Sequence, residues 1–235
     1  MSDSSSVGVL LNIFTAPTVA FARLKERPNP WLALLILLVG YAAVSYLYLQ
    51  VVDLAWMLDQ QMQQGGNLTE EQRKQAVDAA LQVSPVVYSV IGAVAAPISI
   101  LIVVAIVALY FTGVSFATND GVKYGQWFAM ITWALMPIVI GLAATFINLL
   151  VSDSRFIPQD KLNPLAFGNL LGIDVAGLPS AQRGLLRLDI SSIWAVVLLV
   201  LGHQVFTQRS IVRAAIVVLG PIVGIVLISV VLSAL

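Results

Sequence analysis

From Ala79 to Asn119 the chain runs for 41 residues without an ionised side chain, and that stretch limits the possible folds more than any other. A charge near the middle of a membrane helix costs about 2.5–3.5 kcal/mol on insertion scales. Crossing a hydrocarbon core of about 30 Å takes about 20 helical residues. Long charge-free runs are therefore the natural membrane spans, and there are five: Pro28–Val52 (25 residues), Ala79–Asn119 (41), Tyr124–Ser152 (29), Ile190–Gln208 (19) and Ala214–Leu235 (22). The longest has room for a tight hairpin of two short spans. Its middle, Ala93-Val94-Ala95-Ala96-Pro97-Ile98, offers a proline but no polar turn residue, and a hairpin tip there would strand unpaired backbone groups in lipid. One span, kinked near Pro97, is expected. The expected fold is all-α: a single polytopic membrane domain over 1–235, with spans at about 31–52, 85–111, 125–151, 190–207 and 213–234.

The totals agree with this. Charged residues make up 10% of the chain and hydrophobic ones 59%, against roughly 25% charged in an ordinary soluble domain. Twelve basic and twelve acidic residues cancel, so no basic field exists to recruit nucleic acid. There are no cysteines, which removes disulfides, thiolate metal sites and cysteine nucleophiles together. The first 22 residues contain no Lys or Arg, and no cleavage site follows a short apolar core. A secretory signal is therefore not expected, and the first apolar run is expected to stay in the mature protein.

Charges between the spans set the expected orientation. With the N-terminus in the cytoplasm, residues 1–30 and the connections near Thr112–Lys123 and Thr207–Arg213 carry six basic and three acidic residues, a net of +3. The other side, Asp53–Ser84 and Asp153–Asp189, carries six basic and nine acidic, a net of −3. The shorter segments are denser in Lys and Arg, which favours a cytoplasmic N-terminus and a C-terminus on the opposite side.

Outside the spans, Val7, Leu10, Leu11, Phe14, Phe21 and Leu24 recur at helical spacing, and Thr15-Ala16-Pro17 restarts the helix. Arg23, Lys25 and Arg27 then precede Trp31. This segment, residues 1–30, is expected to be amphipathic. One alternative lays it on the cytoplasmic face with its cations at lipid headgroups and Trp31 as anchor; the other packs it under the bundle as a structural lid. In the first outer connection Thr69 and Gln72 have capping-box spacing, so a short helix to about Val83 is expected. Asn67-Leu68-Thr69 matches a glycosylation acceptor, a three-residue pattern that arises by chance. In the second outer connection Asn163-Pro164 opens a short helix over Leu165–Leu171 that dips back toward the membrane. Asp189 caps the fourth span, ahead of the interface residue Trp194.

Catalytic patterns are missing. His203 has no carboxylate or histidine neighbour in sequence to make it a metal ligand or base, and is expected to be a satisfied polar side chain at a helix end. No H-E-x-x-H, G-x-S-x-G or Walker-type loop occurs. Neither an enzyme nor a cofactor is indicated. None of the five runs has a charge in its interior, which weighs against a proton-coupled transporter. Pro97, Pro137 and Pro221 each fall in a different span. Broken helices line transport sites when a cavity solvates the freed carbonyls. Equally, Gly220 with Gly224, or Gly92 with Ala96, allows close helix packing and permits a homo-oligomer.

Ile13-Phe14-Thr15-Ala16-Pro17 with Phe21, followed by Pro28-Asn29-Pro30-Trp31, resembles the opening of prokaryotic members of the Yip family. Tyr124-Gly125-Gln126 with Ala134-Leu135-Met136-Pro137 resembles that family's third span, and Leu188-Asp189-Ile190 with Ile193-Trp194 and Gly202 its fourth. The likeness covers nearly the whole chain. It implies five spans, a cytoplasmic N-terminus, and a place in the bacterial inner membrane. Eukaryotic members interact with Rab GTPases in membrane trafficking, but the Asp-Leu-Tyr-Gly-Pro motif that goes with this is missing, so Rab binding does not carry over.

The function expected is non-enzymatic: organisation of membrane lipid or of an unidentified protein partner by the N-terminal helix and the close-packed spans. A small transporter or channel between the proline-bearing spans is the alternative. Pro17, Phe21, Trp31, Pro97, Pro137, Asp189, Trp194, Gly220 and Gly224 are the residues expected at interfaces or packing contacts.

Overall fold

A computed structural model describes residues 6–65, 68–175, 178 and 180–234; Asn67 lies outside them. Two short helices, α1 (Ser6–Thr15) and α2 (Pro17–Glu26), precede the first long apolar helix, α3 (Trp31–Val51). The first outer connection carries α4 (Leu54–Gly65) and α5 (Glu70–Ala80). Then come α6 (Pro85–Thr118), α7 (Tyr124–Ala134) and α8 (Ile138–Val151). The second outer connection holds a 3-10 turn at Gln159–Lys161, α9 (Phe167–Leu170) and α10 (Ser180–Leu186). It leads into α11 (Ile190–Thr207) and α12 (Ile211–Ala234). Among the described residues four helices, α3, α6, α11 and α12, are long and apolar enough to cross a membrane, and α7 with α8, bent by 46° at their break, pass the same test as a pair.

That break lies inside the third expected span, at Pro137, one of the three helix-breaking prolines singled out in the sequence. Proline has no N–H to donate and disfavours the helical conformation in the residue before it. Around it the backbone tightens into three-residue turns: Met136 N–H to the Trp133 carbonyl (3.2 Å), Ile138 to Leu135 (3.0 Å) and Ile140 to Pro137 (3.0 Å). Pro97 and Pro221, by contrast, sit inside unbroken helices.

Local signals set the ends of other helices. Thr69 and Gln72 form both halves of a capping box at the start of α5. The Ser84 hydroxyl accepts from the Val86 N–H, with Pro85 at the first helical position of α6. Asn163 departs from expectation. Its side chain accepts from Leu165 N–H at 3.0 Å, but α9 begins only at Phe167, with Ala166 at its cap.

The helices are unequal, and this shapes the bundle. At about 1.5 Å per residue, α6 (34 residues) is about 51 Å long and α11 (18 residues) only about 27 Å. Arg209 ties the two together at the N-terminal face by bonding Asp120 and the Thr118 carbonyl. α6 is therefore roughly 24 Å the longer of the two. The second outer connection runs inward beside α8. The Tyr48 hydroxyl donates to the Ile157 carbonyl (3.2 Å), and Asn148 Nδ2 to the Leu162 carbonyl (3.0 Å). One hydrophobic cluster at the N-terminal side joins α1, α2, α7 and α11 through Ile13, Phe21, Trp127, Met130 and Phe206. A smaller one at the far side joins Tyr48, Val52, Leu149 and Ile157.

Candidate functional site

An ionisable group among membrane helices is the first place to look for function. Asp189 was expected as a helix cap near the surface. It does cap α11, accepting from the Ser192 N–H at 2.7 Å, but α11 is short, so this cap lies inside the bundle. Asp189 is 2% exposed and faces Gly141 of α8. Gly141 lies ten residues, about 15 Å along the helix, from the outer end of α8 at Val151. α3 is at the same depth, since a Cβ on Gly40 would meet Leu142 Cδ1 at 3.1 Å.

Both oxygens of the Asp189 carboxylate are hydrogen-bonded within the chain. Oδ1 accepts from the Ser191 hydroxyl (2.7 Å), the Ser192 hydroxyl (2.8 Å) and the Ser192 N–H, and Oδ2 accepts from Asn163 Nδ2 (2.7 Å). Phe167 N–H also donates to the Leu188 carbonyl (2.9 Å), and Ala166 and Asp189 form an isolated antiparallel bridge. A Cβ on Gly141 would lie 2.5 Å from Oδ2 and 3.2 Å from Asn163 Nδ2. Glycine here lets the carboxylate approach the helix backbone. The arrangement clamps the second outer connection against α8 and leaves Oδ1 no acceptor capacity for a substrate. Asp189 is a positioning residue.

The N-terminal face is built differently. Pro17 opens α2, whose inner row, Ala20, Phe21 and Leu24, is buried in the main core. Phe21 fits because position 202 is glycine: a Cβ there would lie 2.5 Å from Met130 Sδ and 3.2 Å from Phe21 Cε1. Gln126 Nε2 donates to the Lys25 carbonyl (2.8 Å), and Trp133 Nε1 to the Asn29 carbonyl (2.7 Å), fixing the α2–α3 link on α7. α1 is apolar on both sides. Val9 and Ile13 face the core, while Val7, Leu11 (65% exposed) and Phe14 point outward. Trp31, at the start of α3, is 72% exposed.

His203 differs from expectation. It is 2% exposed, and neither ring nitrogen has a hydrogen-bond partner; it is held by stacking on Trp127 (ring centroids 5.3 Å apart) and by the edge of Phe111 (5.4 Å). The Trp127 Nε1 and Ser115 Oγ atoms are likewise buried and unpartnered. Close by, Asp120 pairs with Arg209 at 2.8 Å and with the Thr118 hydroxyl, its side chain 4% exposed. Burial alone would push the Asp120 carboxyl up. Hydrogen bonds from Thr118 and Arg209, with the charges of Arg209 and Arg213, outweigh this and hold it below the ordinary carboxylate range.

The remaining expected positions are scattered. Trp194 is exposed on α11. Gly220 and Gly224 face open space within the chain, whereas Gly92 packs tightly: a Cβ there would collide with Leu49 and lie 2.8 Å from Ser45 Oγ. Gly141 gave no warning in the sequence, being one small residue in an apolar run. Among the described residues, no three His, Asp or Glu side chains converge as a metal site would need.

Neither the curated proteins nor the solved structures contain a match to this chain. A family model, the Yip1 domain, matches residues 11–233, from within α1 to the last turn of α12. With four apolar helices of spanning length among the described residues and a bent pair that passes the same test together, this match makes the chain an integral membrane protein of the Yip1 family.

Proposed function

We propose that the protein organises lipid in the cytoplasmic leaflet of a bacterial inner membrane without catalysing a reaction. α1 and α2 are the working elements. The observation that carries this reading is α1, which has no charged residue and is apolar both toward the core and away from it. A helix that is hydrophobic all round belongs in protein or lipid rather than in water. Its partner α2 ends in Arg23 and Lys25, as interfacial helices do. The excess of basic residues on this side supports its being cytoplasmic. Lying on one face only, the pair adds volume to one leaflet.

Truncating residues 1–27 would be a poor test, because it would uncover Trp127 and Met130 in the core. Leu11→Asn and Phe14→Asn alter only the outward row. In proteoliposomes drawn into narrow tubules, the wild-type protein should enrich on the curved membrane and the double variant should not, at an unchanged unfolding midpoint. Equal enrichment of the two would refute the role.

A further inference from the structure

The two sides of the bundle present apolar helices of similar length at different heights. On one side α3 runs for 21 residues, about 31 Å, with Arg27 shortly before it and Asp53 shortly after. On the other α11 runs for 18 residues, about 27 Å, between Asp189 and Arg209. Each is close to the roughly 30 Å of a hydrocarbon core. Contacts with α8 set their relative height. Gly40 lies against Leu142 and Asp189 against Gly141, so the far end of α11 is level with Gly40. From there α3 continues to Val51, about 16 Å further. At the N-terminal end the offset runs the same way. Trp133 Nε1 bonds the Asn29 carbonyl, so α3 begins about 14 Å deeper than α7 does at Tyr124. Met130, on that stretch of α7, lies against Gly202 of α11.

Both boundaries are thus displaced in one direction, by about 15 Å. A thinned bilayer would bring them together instead. An upright bundle seated on α3 would set acyl chains against the second outer connection, where Lys161, Pro164 and Arg187 are exposed. Irregular backbone and ionised side chains are not stable facing lipid tails. We infer that the lipid-facing surface of the chain is a slanted belt. The bilayer it fits meets the α11 side about 15 Å nearer the N-terminal end than it meets the α3 side. α8 packs between α3 and α11, at about 8–10 Å per helix pair. A flat bilayer therefore fits the belt when the bundle axis leans by roughly 40°, the upper end of the range for membrane helices. The length of α6 then has a reason: leaning so, its roughly 51 Å rises about 39 Å, close to the roughly 40–45 Å of a core with its headgroup layers. The belt holds for either direction of insertion and does not depend on the role given to α1.

The chain has no cysteine, so a single introduced cysteine can carry a nitroxide label in the full-length protein. Its depth is read from its accessibility to oxygen and to a water-soluble nickel chelate. Val39 on α3 and Ile190 on α11 are both exposed and stand at nearly the same height along the bundle. The vesicles are of palmitoyl-oleoyl phosphatidylethanolamine and phosphatidylglycerol. There Val39→Cys and Val197→Cys should both place the label near the midplane, and Ile190→Cys should place it about 7–8 Å shallower. If Ile190→Cys disturbs the Asp189 cap, Leu188→Cys, also exposed, should be as shallow. An upright bundle puts the labels at 39 and 190 at one depth, whichever helix the bilayer is centred on. Equal depths at these two positions, or a label at 190 deeper than one at 197, would overturn the slanted belt.

Discussion

The Asp189 clamp yields a quantitative prediction through a pair of residues 48 positions apart in sequence, Gly141 and Asp189. Replacing Asp189 with alanine removes a helix cap, at about 1 kcal/mol. It also strands Asn163 Nδ2 and the buried Ser191 hydroxyl, each of which bonds the carboxylate. An unpaired buried donor costs about 1–3 kcal/mol. The total is about 3–7 kcal/mol. For a chain of this length each kcal/mol shifts the unfolding midpoint by roughly 2–4 °C, so a drop of about 6 °C or more is expected.

Gly141→Ala supplies the second arm. Its Cβ would meet Oδ2 at 2.5 Å, and overpacking of this kind costs about 1–3 kcal/mol, offset by about 1 kcal/mol of helix propensity. In the wild-type background the change should be neutral to destabilising. In the Asp189→Ala background the closest atom is gone, and the same change should become neutral or stabilising. The coupling should be about 1–3 kcal/mol, measured from far-UV circular dichroism melts and SDS titrations of all four proteins. Additivity within about 0.5 kcal/mol, or an Asp189→Ala midpoint within about 2 °C of wild type, would show that the carboxylate does not hold the second outer connection.

Two further perturbations probe the N-terminal face. Gly202→Val should push Met130 and Phe21 aside and loosen α2, read as faster hydrogen exchange over residues 17–26, whereas Gly202→Ala should be milder because the Met130 chain can swing away. Because the Asp120 carboxyl is held low, its contribution is full above the ordinary carboxylate range of about 4 and is lost as pH falls through the lower folded value. Melts from pH 6 to pH 3 should therefore fall less steeply for Asp120→Asn than for wild type, and an unchanged slope would count against the pair.

The spans were legible because lipid penalises charge residue by residue, so gaps between charges are a direct record of what lies in the bilayer. The caps at Thr69 and Asp189 were legible for a similar reason: each bonds to backbone three residues on. Depth was not. The length of α11 is bracketed by Asp189 and Arg209, yet nothing in the sequence says that its N-terminal-face end is level with that of a helix nearly twice as long. Asn163 misled because its side chain has two ends. The oxygen serves Leu165, as its spacing suggested, while the amide reaches 26 residues along to Asp189. His203 misled because polar burial was expected to bring a hydrogen-bond partner, and ring stacking took that place.

Where the polar chemistry is already spent bears on the choice between a conduit and a lipid-organising protein. A conduit needs unsatisfied carbonyls or side chains along its path. In the interior, the Pro137 break is closed by tight turns, Thr145 donates to the Gly141 carbonyl, and Asp189 is bonded by Asn163, Ser191 and Ser192. Among the described residues, clefts open at the two ends and on the outer side of α6, and buried polar atoms without a partner include those of His203, Trp127 and Ser115 at the N-terminal side. The Pro137 break and the Asp189 cluster are therefore places where polar groups bond within the chain, whereas a conduit would need them turned toward its path.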